Sequence, residues 1–119
     1  MVEKEIILTR GGIYLAKLNP AKTSEPGKIR PVILLNSEDI LDSVPPVVFI
    51  CPLSSKSESN FSNIHLKLLP RDNLEVTSFA LIEHCRSVSL TRIIHPRIAQ
   101  VTKCELSSVF SRLKLILDI

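Results

Sequence analysis

The chain has 119 residues, 45% of them hydrophobic and 23% charged, so it is expected to fold as one domain (1–119) that buries a core without disulfides. Fifteen Lys and Arg against twelve Asp and Glu leave a net charge of +3, which permits a polyanionic partner without predicting one. The three cysteines lack paired spacing, and no apolar run approaches the roughly 18 residues of a membrane span. A zinc site and a membrane-spanning helix are therefore not expected, and a cytoplasmic location is.

The amino-terminal half predicts short strands separated by loops. Two strands come first: GIYLAKL (12–18), after a Gly-Gly break, and PVILLN (31–36), an apolar run with Pro31 expected at the first strand position. The segment between them holds two prolines and a glycine, which indicate a loop. A connection, ILDSVPP, leads to a third predicted strand, VVFICPL (47–53).

Two more strands are predicted in the next part of the chain. The polar loop SSKSESNFSN precedes IHLKLL (64–69), where apolar residues alternate with His65 and Lys67 and so indicate a strand with one solvated face. A fifth strand is predicted in TSFALIEHCRSVS (77–89), with a bend near Glu83.

The carboxyl-terminal segment, TKCELSSVFSRLKLILDI, changes period. Thr102 and Glu105 have the spacing of a capping box, and apolar residues follow at helical intervals. Its apolar stripe is expected to be mainly core. The whole pattern predicts a mainly β fold with a C-terminal α-helix, in the form of a small SH3-like antiparallel barrel.

Four segments occur in an order that resembles one protein family over nearly the whole chain: GGIYLAKLNPAKTSEPGKIRPVILLN, VVFICPLSS, LIEHCRSVSLTRI and the terminal helix. They resemble the MazF/PemK toxin endoribonucleases, which typically show S-E-Q/x-G-x-x-R-P-V. Here Pro26 replaces the usual glutamine, while the spacing from Glu25 to Arg30 is retained. The resemblance implies a type II toxin–antitoxin system: a cytoplasmic homodimer that cuts single-stranded RNA without metal or cofactor and is inhibited by an acidic, MazE-like antitoxin.

Three residue types suit cleavage of RNA by its own 2′-hydroxyl, which needs a base, a stabilised phosphorane and a protonated leaving oxygen. Arg30 maps onto the family's catalytic arginine, and its guanidinium fork can bind two phosphate oxygens. Ser54 falls where the family places a Thr or Ser whose hydroxyl donates to the scissile phosphate. Glu25 aligns with a family carboxylate and is the candidate base. The alternatives are a surface pair of Arg30 with Glu25 and a turn role for Ser54, with Ser55 serving in its place.

The predicted RNA-binding residues beyond this set are Lys28, Ser55, Lys56, Glu83, His84 and Arg86. Glu83 and His84 occupy the family's D/E-Q position, so His84 is either a second proton carrier or an ordinary hydrogen-bonded side chain. His65 and His95 are expected to be structural or exposed. A Cys85–His84 dyad is not expected, because neighbours on a strand face opposite sides. No acidic or histidine cluster has metal-site spacing, so no metal is predicted.

Two non-enzymatic alternatives share this fold class. One is a CcdB-like toxin that binds DNA gyrase, and the other is an SH3-like nucleic-acid-binding module without chemistry. A gyrase binder does not need the Glu25, Arg30 and Ser54 set. A binding module would normally use stacking aromatics, and the chain has only one tyrosine, four phenylalanines and no tryptophan. The recognised bases depend on the loops at 19–29 and 54–63.

Overall fold

The computed structural model describes residues 6–19, 28–57 and 63–119. Residues 20–27 of the predicted loop at 19–29, which include Glu25, and residues 58–62 of the predicted loop at 54–63 lie outside these ranges. Within them the chain forms seven strands and two α-helices: β1 (Gly12–Lys17), β2 (Ile29–Leu34), α1 (Glu38–Asp42), β3 (Val47–Ser54), β4 (Leu66–Leu68), β5 (Ser78–Ala80), β6 (Arg86–Ser89), β7 (Ile93–Gln100) and α2 (Lys103–Leu117).

The strands form one antiparallel sheet in the order β4-β5-β3-β2-β1-β7, with β6 also pairing with β3. The prediction of a mainly β fold with a C-terminal helix is confirmed. Among the described residues the pairing path starts at β4 and ends at β7, so the sheet is not closed into the predicted barrel. None of the described helices is long and apolar enough to cross a membrane.

The central strands β2 and β3 are buried on both faces. Ile33, Cys51 and Leu53 belong to a cluster that α2 covers through Val109, whereas Val32, Leu34, Val48 and Ile50 pack on the opposite face with Leu41 of α1. Alternate residues of a strand face opposite sides of a sheet, so each strand contributes to both clusters. Complete burial of one such side chain stabilises the fold by about 1.5–3 kcal/mol, and these two strands are therefore a firm support for the residues at their ends.

The β2–β3 ladder ends beside Pro31. Pro31 was predicted at the first position of its strand, but β2 begins at Ile29 and Pro31 is its third residue. The Leu35 amide donates to the Phe49 carbonyl of β3 at 2.9 Å. Every second backbone nitrogen of a strand faces the same neighbour, so the nitrogen of Pro31, four residues earlier, also faces β3. Proline has no N–H to donate, and the pairing with β3 accordingly starts at the following residue.

Three local predictions were wrong or incomplete. The predicted fifth strand is two strands, β5 and β6, separated by a 3-10 turn at Ile82–His84, where the bend was expected. His65 is buried, at 5% exposure, instead of lying on a solvated face. Strand β7 was not predicted, because its burial does not alternate and its middle, His95–Arg97, is exposed.

Helix α2 starts with the predicted capping box. Thr102 Oγ1 accepts the Glu105 amide at 3.0 Å, and Glu105 Oε1 accepts the Thr102 amide at 2.8 Å. Only Val109 is fully buried, and Leu106, Phe110 and Leu113 are partly buried against the core. Leu115, Leu117 and Ile119 are exposed, so the apolar stripe is core in its middle and solvent-facing at its end.

Candidate active site

The site lies where β2 and β3 part. Their ladder runs from Leu34–Ile50 to Val32–Pro52 and stops there, and the same register carried two residues further sets Arg30 opposite Ser54. Each strand takes a different partner at this point: Arg30 pairs with Ala16 of β1, and Ser54 pairs with Phe79 of β5. Two side chains 24 positions apart in the sequence therefore flank one opening.

This opening is an exposed cleft of about 270 Å³. Its lining consists of two cations, three hydroxyl side chains and four apolar residues: Lys28, Arg30, Ser54, Ser55, Ser78, Ile29, Pro31, Leu53 and Val76. Among these lining residues there is no carboxylate, so the cleft is electropositive. A positive, hydroxyl-lined cleft with apolar walls suits an anion attached to a less polar group, such as a phosphate in a nucleic-acid strand.

The backbone that carries Lys28 and Arg30 is fixed at the base of the β1–β2 connection. The Lys28 amide donates to Asn19 Oδ1 at 2.8 Å, and its carbonyl accepts the Leu18 amide at 2.8 Å. Lys28 has a left-handed backbone conformation, with φ of 62°, which a non-glycine residue adopts only when its surroundings hold it there. Arg92 braces the other side by donating to the carbonyls of Lys17 and Asn19.

Ser54 forms a turn contact that still leaves it a proton to donate. Its Oγ accepts the Lys56 amide at 3.1 Å, which is the local bond expected of a turn serine. A hydroxyl has one hydrogen and two acceptor sites, so accepting this bond does not use its O–H. Ser55 and Lys56 are exposed, and only Ser55 lines the cleft.

The other predicted site residues that the structure describes do not line the cleft. Glu83 is in the 3-10 turn, and both of its carboxylate oxygens accept from His65 Nε2, at 2.9 and 2.7 Å. His84 is half-buried in the same turn, and Arg86 pairs with Ile50 across the β3–β6 ladder. Glu25, the candidate base, lies outside the described residues. The structure thus brings Lys28, Arg30, Ser54 and Ser55 together, and Lys56, Glu83, His84 and Arg86 are not among the residues that line the cleft.

Five cleft residues were not predicted as site residues, and two of them, Val76 and Ser78, come from the β5 side of the cleft. Ser78 is 2% exposed, and its hydroxyl donates to the Val76 carbonyl at 3.0 Å. They reach the cleft because β5 pairs with the end of β3. A polar residue at the start of a short strand gave no sign of this, since the pairing joins parts of the chain about 25 residues apart.

Larger concave regions carry less of the expected chemistry. A groove of about 600 Å³ lies between Thr9–Arg10 and α2, and a hollow of about 470 Å³ lies beside Tyr14 and His95. Neither contains Arg30 or Ser54. Among the described residues no three His, Cys, Asp or Glu side chains are grouped closely enough to hold a metal ion.

The buried thiol of Cys51 is not suited to be a nucleophile. All three cysteines are free. A hydrogen bond between the Cys51 and Cys85 thiols, together with burial, raises the pKa of the Cys51 thiol well above its usual range. Because the thiolate is the reactive form, Cys51 is inert near neutral pH.

Fold and cleft together define a small antiparallel β protein with an electropositive cleft at one strand opening, and the comparison with known families is specific. The family model for PemK-like, MazF-like toxins of type II toxin–antitoxin systems matches residues 9–117. The chain belongs to this family.

Individual relatives cover most of the chain. It is 27% identical to Endoribonuclease MazF of Staphylococcus saprophyticus over 88 residues, which span 73% of this chain and 72% of that protein. The MazF crystal structure (Form-I) from Deinococcus radiodurans matches 97% of this chain and 100% of its own, with a TM-score of 0.80 and 23% identity. A MazE-MazF structure (Form-II) from the same organism matches 97% and 99%, with a TM-score of 0.74 and 17% identity.

Proposed function

We propose that the protein is a toxin endoribonuclease and that it cuts single-stranded RNA in the cleft between β2 and β3. The observation that carries the proposal is that Arg30 of β2 and Ser54 of β3 line the same electropositive cleft. The family and the similarity to a protein named Endoribonuclease MazF support it. A gyrase-binding toxin would not need this pair.

The proposed reaction uses the 2′-hydroxyl of the RNA as the nucleophile. A base takes its proton, the 2′-oxygen forms a bond to phosphorus, and the bond to the 5′-oxygen breaks as that oxygen gains a proton. The products are a 2′,3′-cyclic phosphate and a free 5′-hydroxyl. The enzyme's largest task is to stabilise the extra negative charge on the phosphorane.

Arg30 is assigned to that charge. Its guanidinium is always protonated, and two parallel N–H groups match two phosphate oxygens. Lys28 adds a second positive charge from the same side of the cleft, and the Ser54 hydroxyl donates from the other side. Glu25 remains the candidate base. Lys56, His84 and Arg86 remain candidates for binding flanking nucleotides, with Ser55 at the cleft itself.

The same cleft is suited to bind an antitoxin that inhibits the enzyme. We infer a cytoplasmic homodimer whose cleft an acidic, MazE-like antitoxin occupies, because an extended acidic peptide would present carboxylates to Lys28 and Arg30. Light scattering should give twice the monomer mass of 13.3 kDa at micromolar concentration. A monomer at that concentration would contradict the dimer.

The decisive experiment is cleavage of a mixed-sequence RNA with mapping of both new ends, in excess EDTA and without it. Arg30→Ala should lower the rate by on the order of 100-fold or more, because it removes charge stabilisation of the transition state. Arg97→Ala is the matched control, since Arg97 is exposed on β7 and donates to Gln100 outside the cleft.

Three results would refute the mechanism: an Arg30→Ala protein that folds and cuts normally, loss of cutting in EDTA, or cutting of a strand with 2′-deoxyribose at the scissile position. A protein that leaves every RNA intact but inhibits DNA gyrase would favour the alternative toxin class.

A further inference from the structure

The most unusual polar contact in the described chain involves the buried histidine, His65. Its side chain is only 1% exposed, and its two ring nitrogens have partners from different parts of the chain. Nδ1 lies 2.7 Å from Ser57 Oγ, and Nε2 lies 2.7 Å from Glu83 Oε2. A polar ring removed from water is costly unless both nitrogens are hydrogen-bonded, so this arrangement has to stay intact for the ring to remain buried.

The chemistry of the two partners suits both ring nitrogens. Carboxylate oxygens accept, so the bond at Nε2 runs from His65 to Glu83. A hydroxyl both donates and accepts, so Ser57 can pair with Nδ1 whichever of the two carries the hydrogen. Ser57, His65 and Glu83 form a relay in which each group orients the next, as a carboxylate orients a histidine in many active sites.

The relay provides a second attachment for the end of β3. The Leu81 amide, just before the 3-10 turn that holds Glu83, donates to the Pro52 carbonyl at 2.9 Å. The same turn holds Ser57 through the relay. The segment 52–57 is therefore attached to one turn at both of its ends, and the cleft residues Ser54 and Ser55 lie between the two attachments.

We propose that Ser57, His65 and Glu83 are positioning residues that fix Ser54 and Ser55 at the mouth of the cleft. None of the three lines the cleft, so they act on a bound strand through the segment they hold. The effect on catalysis rests on the proposed function, whereas the effect on the segment does not. The geometric requirement is strict, because a donor displaced by about 1 Å loses much of its effect on a transition state.

The test compares Ser57→Ala, which removes the hydroxyl, with Ser57→Thr, which keeps one, and uses Ser107→Ala on the exposed face of α2 as the matched control. The first readout is the rate of tryptic cutting after Lys56, relative to cutting after Lys114 in the same molecule. Loss of one hydrogen bond should speed cutting after Lys56 by roughly five- to tenfold in Ser57→Ala. Glu83→Ala repeats the test with the Lys56–Ser57 sequence unchanged.

The second readout is RNA cleavage. Ser57→Ala should lower kcat by about the same five- to tenfold with little change in KM, and Ser57→Thr should restore it. Unchanged tryptic cutting after Lys56 in Ser57→Ala and in folded Glu83→Ala would overturn the proposal, and so would faster cutting with an unchanged kcat. If the wild-type protein cut no RNA, the proposed function would fail, while the tryptic rates would still decide whether the relay holds the segment.

Discussion

One carboxylate, that of Glu105, both starts α2 and fastens it to the sheet. Its Oε1 accepts the Thr102 amide at 2.8 Å within the capping box. Its two oxygens also accept from the Arg71 guanidinium, through Nη1 and through Nη2 at 2.8 Å. Arg71 follows β4 and is held by its own bond to the Leu69 carbonyl at 3.0 Å. Removing the charge of Glu105 should therefore loosen the attachment of the helix.

Two substitutions separate the contribution of the ion pair to stability from that of the helix cap. Glu105→Gln keeps an oxygen that can cap Thr102 and loses the ion pair. The side chains of Arg71 and Glu105 are 20% and 21% exposed, so the loss should be about 1 kcal/mol, at the upper end for solvent-exposed pairs. Glu105→Ala also loses the side-chain cap, which adds about 1 kcal/mol. For a chain of this size each kcal/mol lowers Tm by about 4 °C.

The effect should depend on pH in one direction. The hydrogen bonds from Arg71 hold the pKa of Glu105 below its usual range, against the opposing effect of partial burial. A carboxylate whose pKa is lower in the folded state contributes stability that is complete above the unfolded pKa of about 4.3. That contribution is lost as the pH falls through the lower folded value. The stability difference between wild type and Glu105→Gln should therefore narrow in acid.

Urea unfolding at pH 7 and at a series of lower pH values would measure this difference, with the exposed Glu75→Gln as the matched control. Equal stability of wild type and Glu105→Gln at pH 7 would refute the assigned role. So would a difference that stayed constant through the acid range, since the ion pair would then not be its source.

Three further outcomes are expected at the cleft and the thiols. Ser54→Ala should lower RNA cleavage by less than Arg30→Ala, because Ser55 or water can partly replace its hydroxyl; equal losses, measured by initial rates, would contradict this ranking. In the folded protein a maleimide should label exposed Cys104 and leave Cys51 unlabelled, since the hydrogen bond between the Cys51 and Cys85 thiols and burial raise the pKa of Cys51; mass spectrometry of the labelled peptides would show the reverse if the assignment were wrong. A saturating acidic antitoxin peptide should block cleavage, and added salt should weaken RNA and peptide alike, as exposed charges are screened within about 10 Å at 0.1 M; cleavage that persists with bound peptide would place the two ligands apart.

The parts of the fold that the sequence predicted well have strong local signals. Strands β1 and β3 are apolar runs with turn residues beside them, and α2 has both a capping box and a helical period. Strand β7 has neither, because its central residues are exposed and include Pro96. The short helix α1 starts at an ordinary cap, Ser37, whose hydroxyl accepts the Ile40 amide at 3.4 Å, but it contains too few residues to show a period.

The candidate site was predictable where a motif marks a residue and not where tertiary contacts do. Arg30 and Ser54 were predicted because they stand at family positions, and both line the cleft. The burial of His65 depends on Glu83, 18 residues away, and on Ser57 in a polar loop. The alternating pattern around His65 fits a solvated strand face as well as it fits a buried histidine. Only the folded chain shows that the histidine lies inside, between Ser57 and Glu83.

The position of the site follows from the dipeptide Arg30-Pro31. Pro31 lacks the N–H that would extend the ladder to β3, so the two strands separate directly after Val32–Pro52. Pro31 loses no hydrogen bond to β1. The Leu18 amide donates to the Lys28 carbonyl, and the alternation of hydrogen-bonded pairs then places Pro31 opposite Leu15 at a non-hydrogen-bonded position. Pro31 thus leaves the pairing of β2 with β1 intact and ends its pairing with β3. Arg30 is the next residue outward, and a shift of one position would turn its side chain to the opposite face, away from Ser54.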